Sequence, residues 1–586
     1  MCGIWAHIRL MKGKKYTSDE VSQLMKGFYN LKHRGPDNSF FEMYGDNAFV
    51  GFHRLAIMSD NFSGNQPFVF EKGDKTVVFI CNGEIYNHKE LRQNLIRRKQ
   101  FDGESSLNES YNASDCAVIP MLYLEYGSKQ FPNFFEYKEN NDDYMRPYVR
   151  GEFAFVLLEF TKEKHIKRVV AGRDSVGVRP LYYNSPVNAS DTLMFSSEIK
   201  GFENLGCNNI TEFPPGQIHY YECDELNHIN IKKYNYYNLH KMISLPQKII
   251  GSSGEKQLLR NVYKTVVDSI RCRLDADKPI AFLLSGGVDS SLVAGISAKI
   301  LGRPIRTFCC GMKGGPDLFY ARKVADWIGS EHTEVFFTPE EGLAAIDDVI
   351  RTTETWDTTT IRASVGQYLV SKWIGTKTDC KVVMVGEGPD EVCSSYLFNW
   401  YAPDGDSLHR CAVDYIDKIH LYDGRRSDRC VSRWSLETRV PFLDPAFINA
   451  YWQIPSEWRM PKYKGMEKWW LREAFRGTGV LPDEVLWRKK EAFSDGVSSK
   501  EKSWFQHIQE WVSDKVTDKE LENAKEEFPY CTPQTKEAYY YRKQFVSLFG
   551  IDRQKIIPGY WQPKWSSDGK EVKEYIDPSA RVLDIY

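Results

Sequence analysis

Residues 279–301, PIAFLLSGGVDSSLVAGISAKIL, decide the fold of the second half of this chain. Pro279 to Leu284 is a short apolar run of strand length, and Leu292 to Leu301 is an apolar run that suits a helix. Between them lies the small polar turn Ser285-Gly286-Gly287-Val288-Asp289-Ser290-Ser291. A buried strand that feeds a helix through a Gly-rich turn is the start of a parallel α/β unit. Such a turn is also an anion site, because backbone N–H groups converge at the helix start and the helix dipole adds favourable potential. No Gly-Lys-Ser/Thr follows, so the turn is not a Walker A loop, nor is it G-x-G-x-x-G.

Working outward, PIRTFCCG precedes LFYARKVADWIG, and CKVVMVGEG comes later, which continues the strand–helix alternation. Beyond about residue 400 the pattern is helical and rich in Trp and Arg. After the strand KVVMV, Gly386-Glu387-Gly388-Pro389-Asp390-Glu391 places three carboxylates within five residues. That cluster repels itself without a cation, a proton or a basic substrate, and Mg²⁺ bridging phosphates is the natural partner. Lys468, in KGMEKWWLRE, is a point charge suited to phosphate. Open parallel sheets bind ligands at the carboxyl ends of their strands, which is where both loops fall.

The first 235 residues read differently. GIWAHIRL, NAFVGFHRLAIM, TVVFICNGEIY, GEFAFVLLEF and RVVAGRD are strand-like runs, with a helical pattern over SDEVSQLMKGFYNLKHR whose N-cap candidate is Ser18. This half is sheet-rich α+β. Residues 236–256, with Pro246 and GSSGE at 251–255, read as a linker. The polar stretches 102–114 and 131–147 read as solvated surface loops.

Composition excludes several classes. Lys+Arg 77 against Asp+Glu 79 leaves a formal net charge of −2, so no global field draws the chain to nucleic acid or an anionic membrane. Aromatic residues make up 14% of the chain, which is incompatible with disorder. The apolar runs are too short for a membrane span, and the N-terminus lacks signal-peptide order. The 13 cysteines are scattered, without C-x-x-C pairs, as expected of reduced thiols in the cytoplasm.

Cys2 suits a nucleophile that uses its own α-amine as base once Met1 is removed. A thiolate attacking an amide needs oxyanion donors, and Asn82 with Gly83 supplies an amide and an unobstructed N–H. Arg54 and Asp115 are of the types that bind an α-carboxylate and an α-amine. MCGI, RGPD, HRL-x-I, NGEIYN and SDC, in this order, resemble class II glutamine amidotransferase domains. The resemblance implies an N-terminal-nucleophile, four-layer αββα sandwich. Cys2 is then the nucleophile, Asn82 and Gly83 form the oxyanion hole, and Arg54, Asn82, Gly83, Glu84 and Asp115 bind glutamine.

SGG-x-DS after a strand resembles the ATP pyrophosphatase loop of adenine nucleotide alpha-hydrolase-like folds, which cleaves ATP to AMP and pyrophosphate. With TTIRAS, GEGPDE, RVPFLD and KEAFSDGV, the whole chain to about residue 550 resembles the glutamine-hydrolysing asparagine synthetase family. That implies a glutaminase domain at 2–235, a synthetase domain at 257–550 and a tail at 551–586. It implies Leu284, Cys310, Val385 and Gly386 around adenosine, and Ser285, Gly287, Asp289 and Ser290 on pyrophosphate. Asp289 and Asp390 are the expected Mg²⁺ ligands, Glu387 assists ammonia, and Arg362 and Lys468 stabilise charge. Glutamine, aspartate and ATP are the implied substrates, an ammonia channel joins the two sites, and a homodimer is implied by the resemblance alone. An ammonia-only synthetase is disfavoured by the intact Cys2 pocket, and a β-lactam-forming relative usually lacks the N-terminal nucleophile. A non-catalytic descendant finds its only support in departures from the family pattern. Those are Pro389, Ser394-Ser395 where the family has Gly-Gly, and Ala113 before Ser114-Asp115; they bear on aspartate and glutamine binding.

Overall fold

The computed structural model describes residues 1–10, 15–58, 64–97, 114–139, 145–184, 192–207, 209–223, 229–242, 254–489, 498 and 502–575. The chain forms two compact units. One comprises Met1–Asn140, Met145–Asn238 and Asp275–Lys278; the other comprises mainly Leu239–Leu274 and Pro279–Tyr586.

The strands of the first unit are, in chain order, β1 (Gly3–Arg9), β2 (Asn38–Tyr44), β3 (Ala48–Arg54), β4 (Phe68–Lys72), β5 (Lys75–Ile85), β6 (Tyr137–Glu139) and β7 (Met145–Pro147). They continue with β8 (Gly151–Phe160), β9 (Ile166–Arg173), β10 (Tyr182–Asn184), β11 (Thr192–Ser196), β12 (Ile210–Glu212), β13 (Gln217–Cys223) and β14 (Ile229–Asn235). One six-stranded sheet runs β12-β10-β11-β1-β3-β2 and a second runs β14-β13-β9-β8-β5-β4, while β6 and β7 pair as a small ribbon. Side chains alternate faces along a strand, and one alternate set from each sheet makes a shared core. It contains Ile4, Ala6 and Ile8 of β1, Ala48, Val50 and Phe52 of β3, Val78 and Ile80 of β5, and Val156 and Leu158 of β8. The opposite faces carry helices. Trp5 donates to the Gly201 carbonyl at 3.0 Å and meets Phe28 of the helix Ser18–Tyr29 edge-on. Tyr123 of the helix Val118–Gln130 donates to Glu159 of β8 at 2.6 Å. Helix, sheet, sheet, helix is the αββα layering expected.

Local details differ from the sequence reading. The helix Ser18–Tyr29 is capped by Thr17 rather than Ser18, because Glu20 lies three residues after Thr17 and closes a capping box. The 131–147 stretch is not simply a solvated loop. Phe131 and Phe135 are buried, packing their rings with Phe155 on the outer face of β8; aromatic area outweighs the polar composition around it. Residues 102–113 of the other polar stretch, including Ala113, lie outside the described residues.

In the second unit, β15 (Ile280–Leu283), β16 (Arg306–Gly311), β17 (Glu331–Phe336), β18 (Val382–Met384) and β19 (Glu437–Arg439) form a sheet in the order β17-β16-β15-β18-β19. Every pair is parallel. The chain moves outward from β15 to β17, then returns to the other side of β15 with β18. The crevice between the carboxyl ends of β15 and β18 is therefore the topological switch point. The first long helix, Gly254–Cys272, begins inside the stretch read as linker, so Gly254, Glu255 and Lys256 are helical; residues 243–253 lie outside the described residues.

The described part of the tail, residues 551–575, packs onto this unit. Trp565 joins Phe398, Leu408 and Cys411 in a buried cluster, and the Trp356 indole donates to the Gln554 carbonyl at 3.0 Å. No helix among the described residues is long and apolar enough to cross a membrane.

Candidate active sites

In the first unit, strand parity sets the geometry. Ile4, Ala6 and Ile8 point into the interlayer core, so Cys2 does too, and its side chain packs against that core. Val50 and Phe52 face inward, so Arg54 at the end of β3 follows them. Val78 and Ile80 face inward, so Asn82 and Glu84 do the same from the opposite sheet. Cys2, Arg54, Asn82 and Glu84 thus project into one interlayer space. The register aligns Gly3 with His53, which puts Cys2 beside the end of β3, and its thiol lies 3.8 Å from the Leu55 carbonyl oxygen.

The Asn82 amide is fully buried, and among the described residues neither its nitrogen nor its oxygen has a hydrogen-bond partner. Leaving a buried amide unpaired costs about 1–3 kcal/mol per group, so this side chain is set out for a ligand rather than for the fold. Gly83 faces the other way, where a Cβ would fall 2.3 Å from the Glu152 carbonyl oxygen, so only glycine fits. Asp115 is tied to this strand, its carboxylate accepting the Ile85 N–H at 2.5 Å. Arg54 donates to the Asn65 side chain at 2.9 Å and to the Met58 carbonyl at 3.3 Å.

RGPD holds the N-terminal residue in place. The fully buried Arg34 donates through Nε to the Cys2 carbonyl at 3.1 Å and through Nη1 to Glu198 at 2.5 Å, clamping the N-terminal residue. Asp37 accepts the Ala56 N–H at 2.8 Å and donates its own N–H to the Arg54 carbonyl at 3.0 Å.

In the second unit a cleft opens at the switch point, where open parallel sheets bind small molecules. Of the residues read from sequence, Leu284, Ser285, Gly287, Asp289, Ser290, Cys310, Gly386, Glu387 and Asp390 line it. The SGGVDSS turn leads into the helix Val288–Leu301, whose N-cap Gly287 gives no side-chain capping bond, leaving the first-turn N–H groups for an anion. Gly286 adopts φ +74°, and a Cβ there would meet Tyr320 at 2.4 Å. Ser290 Oγ accepts the Ser285 N–H at 3.1 Å, which closes the loop on itself. Burial pushes the Cys310 thiol up to about 12, so it acts as a small apolar wall.

Lys468 does not line the cleft surface but lies directly behind it. Its buried ammonium reaches Asp289 and Asp390, each at 2.5 Å. Burial favours the neutral amine, but the two aspartates outweigh it and hold Lys468 charged. Val385 is buried beneath the cleft, its N–H donating to the Arg439 carbonyl at 3.2 Å. Arg362 stands away from the lining. Its guanidinium grips Glu537 in a two-point pair at 2.7 and 2.6 Å.

The cleft also contains residues that the sequence reading missed. Gln367 donates to Glu387 at 3.0 Å, and Arg426 donates to Gln367 at 2.9 Å, to Asp423 at 2.8 Å and to Glu387 at 3.4 Å. The Tyr396 hydroxyl lies 2.5 Å from Glu391 and 3.3 Å from Asp423. Burial raises Glu387 above the ordinary carboxylate range against the pull of Arg426, and raises Glu391 further with Asp423 beside it.

The departures from the family pattern are accommodated. Pro389 takes the first position of the short helix Pro389–Val392, where a missing N–H is harmless. Ser394 adopts φ +54°, a conformation that costs a non-glycine residue roughly 1–2 kcal/mol. Ser395 donates its hydroxyl to Asp390. Glu387, Asp390 and Glu391 all reach the cleft. KEAFSDGV lies outside the described residues.

Among known proteins, a family model described as asparagine synthase matches residues 261–404 and 400–569, and one described as a glutamine amidotransferase domain matches residues 1–212. The asparagine synthetase [glutamine-hydrolyzing] of Homo sapiens is 38% identical over 607 residues, covering 100% of this chain and 99% of that protein. Its counterpart in Gallus gallus is 37% identical with the same coverage.

Proposed function

Because this chain belongs to the family of glutamine-hydrolysing asparagine synthetases, its reaction is glutamine-dependent, ATP-driven synthesis of asparagine, and we propose the following division of labour among its residues. The glutaminase domain is 2–235 and the synthetase domain 257–550, with residues 551–575 an integral part of the latter. Once Met1 is removed, the Cys2 α-amine, which titrates near ~8, takes the thiol proton. The thiolate attacks the side-chain amide carbon of glutamine. The oxyanion is held by Asn82 Nδ2 and the Gly83 N–H, ammonia leaves, and water hydrolyses the thioester to glutamate. Arg54 pairs with the α-carboxylate, and Glu84 and Asp115 with the α-ammonium.

At the second site Leu284, Cys310 and Gly386 bound the adenosine, with Val385 supporting them from beneath. Ser285, Gly287, Ser290 and the helix N-terminus hold the departing pyrophosphate. Asp289 and Asp390 converge on one cationic point, which fits Mg²⁺ held by one or two carboxylates together with phosphates; bound there, it would neutralise phosphate charge. Aspartate is a zwitterion, and the far half of the cleft is arranged as one: Glu391 and Asp423 for its ammonium, Arg426 for its α-carboxylate. Its side-chain carboxylate attacks the α-phosphorus, pyrophosphate departs, and ammonia displaces AMP from the β-aspartyl adenylate. Glu387, whose proton affinity is raised by burial, takes the proton from the attacking nitrogen. Lys468 holds the acidic loops together at the phosphates. Arg362 acts at one remove, by fixing its helix to Glu537. A cytoplasmic location and a homodimer complete the reading, the dimer testable by light scattering.

The observation that carries this reading is the meeting of SGGVDSS and GEGPDE in one cleft at the switch point. The test is formation of asparagine and AMP from aspartate and Mg-ATP, with glutamine and with ammonium in parallel. Cys2→Ala should abolish glutamine-dependent synthesis and leave ammonium-dependent synthesis intact. Equal loss with both nitrogen sources would refute the two-site assignment.

A further inference from the structure

The segment after residue 557 makes two separate connections to the synthetase cleft, and both start at Trp561. The first is through its ring. Trp561 packs against Tyr396 with ring centroids 5.1 Å apart, in a cluster with Phe398 and Tyr415. Tyr396 is the cleft residue whose hydroxyl meets Glu391 and Asp423. The second is through its backbone. The Trp561 N–H donates to Asp357 at 2.8 Å. Asp357 is the N-cap of the helix Thr358–Lys377, its other carboxylate oxygen accepting the Thr360 N–H at 2.8 Å. That helix carries Gln367, the donor to Glu387.

The strand of chain around Trp561 is itself pinned. Tyr422 donates to the Gly559 carbonyl at 3.0 Å and Tyr415 to the Gln562 carbonyl at 2.6 Å. A second cavity, of about 800 Å³, lies along this segment and shares Glu391 and Asp423 with the cleft. Those two carboxylates therefore border both cavities, with Asp423 also held by the Arg426 guanidinium at 2.8 Å. The Tyr396 hydroxyl is the group that spans them, and the Trp561 ring backs Tyr396.

We propose that Trp561 is a positioning residue for aspartate: it holds Tyr396 against Glu391 and Asp423, and through Asp357 it sets the helix that presents Gln367 to Glu387. This rests on the assignment of the Glu391–Asp423–Arg426 half of the cleft to aspartate. The nucleotide half depends on the SGGVDSS turn, which Trp561 does not touch, so the two substrates should respond differently when Trp561 is changed.

The experiment measures pyrophosphate release by the full-length enzyme with ammonium as nitrogen source, varying aspartate and ATP separately. Trp561→Ala should raise the aspartate KM about tenfold, the scale expected of a small displacement of binding groups, while the ATP KM and the glutaminase rate stay unchanged. Trp561→Phe, which keeps a ring at the site, should recover most of the loss. Tyr396→Phe, which keeps the packing and removes only the hydroxyl, should raise the aspartate KM in the same way. Unchanged aspartate KM values, equal increases for both substrates, or a Trp561→Phe variant no better than Trp561→Ala would overturn the proposal. Wild-type enzyme that releases no pyrophosphate with aspartate would overturn the cleft assignment and this inference together. An active wild type with an unaffected Trp561→Ala overturns only this inference.

Discussion

The pair Arg362–Glu537 decides whether Arg362 works on phosphates or on the fold, and Glu537→Ala is the perturbation that separates the two. The pair is almost wholly buried, at 5% and 0% side-chain exposure, and bidentate. Glu537 also accepts from Gln509 at 2.5 Å, and the guanidinium lies over the Phe505 ring at 4.6 Å. Removing one member of such a pair strands the other charge in the interior, at a cost of about 3–5 kcal/mol. For a unit of this size, with roughly 2 °C or a little less per kcal/mol, the melting temperature of the synthetase unit should fall by about 5–10 °C. Scanning fluorimetry measures this, alongside pyrophosphate release below the transition. The double variant Arg362→Met/Glu537→Met replaces both charges with apolar bulk, a change that is often neutral in stability, and should restore the melting temperature. If Arg362 only positions its helix, adenylation returns with stability. If the double variant is stable but makes no adenylate, Arg362 acts on the phosphates and the positioning argument is wrong.

Two further predictions concern the reacting groups. Asn82→Ala should lower glutaminase turnover by about 10²–10³-fold, the usual effect of losing one oxyanion donor, with ammonium-dependent synthesis unchanged and no fall in melting temperature, because among the described residues the amide has no hydrogen-bond partner to lose. Burial raises Glu387 above the ordinary carboxylate range, so as pH falls it takes up its proton before a free glutamate would. Synthesis should therefore lose activity on an acid limb above the range of free carboxylates, a limb that glutaminase activity lacks and that Glu387→Gln abolishes together with synthesis. An identical limb in both activities would assign it to another group.

The parts legible in the sequence were those in which a few neighbouring residues do the work. A strand, a Gly-rich turn and a helix are contiguous in PIAFLLSGGVDSSLVAGISAKIL, and the cleft lies where that unit implies. The strand-like run GIWAHIRL placed the residues after Cys2 in a sheet. Asp423, Arg426 and Gln367 could not be read, because they reach the cleft from two helices more than 50 residues apart, and a buried Arg reads the same whether it faces a substrate or a salt-bridge partner. The resemblance assigns Arg362 to the phosphates, and its ion-pair partner Glu537, 175 residues away, leaves no local sign in the sequence. The tail resisted reading because its contacts are rings and backbone carbonyls scattered over the unit, which leave no local pattern. In RGPD, a signal was present but its meaning was not: nothing in the spacing says that Arg34 holds the carbonyl of Cys2.

The Lys468 ammonium, closed between Asp289 and Asp390, has a thermodynamic consequence. One ammonium against two carboxylates leaves the set with one surplus negative charge beside the SGGVDSS turn. A polyphosphate arriving alone meets that surplus, whereas a divalent cation taken up by the two aspartates reverses its sign. Uptake of the two ligands is therefore reciprocally linked, each favouring the other by the same free energy.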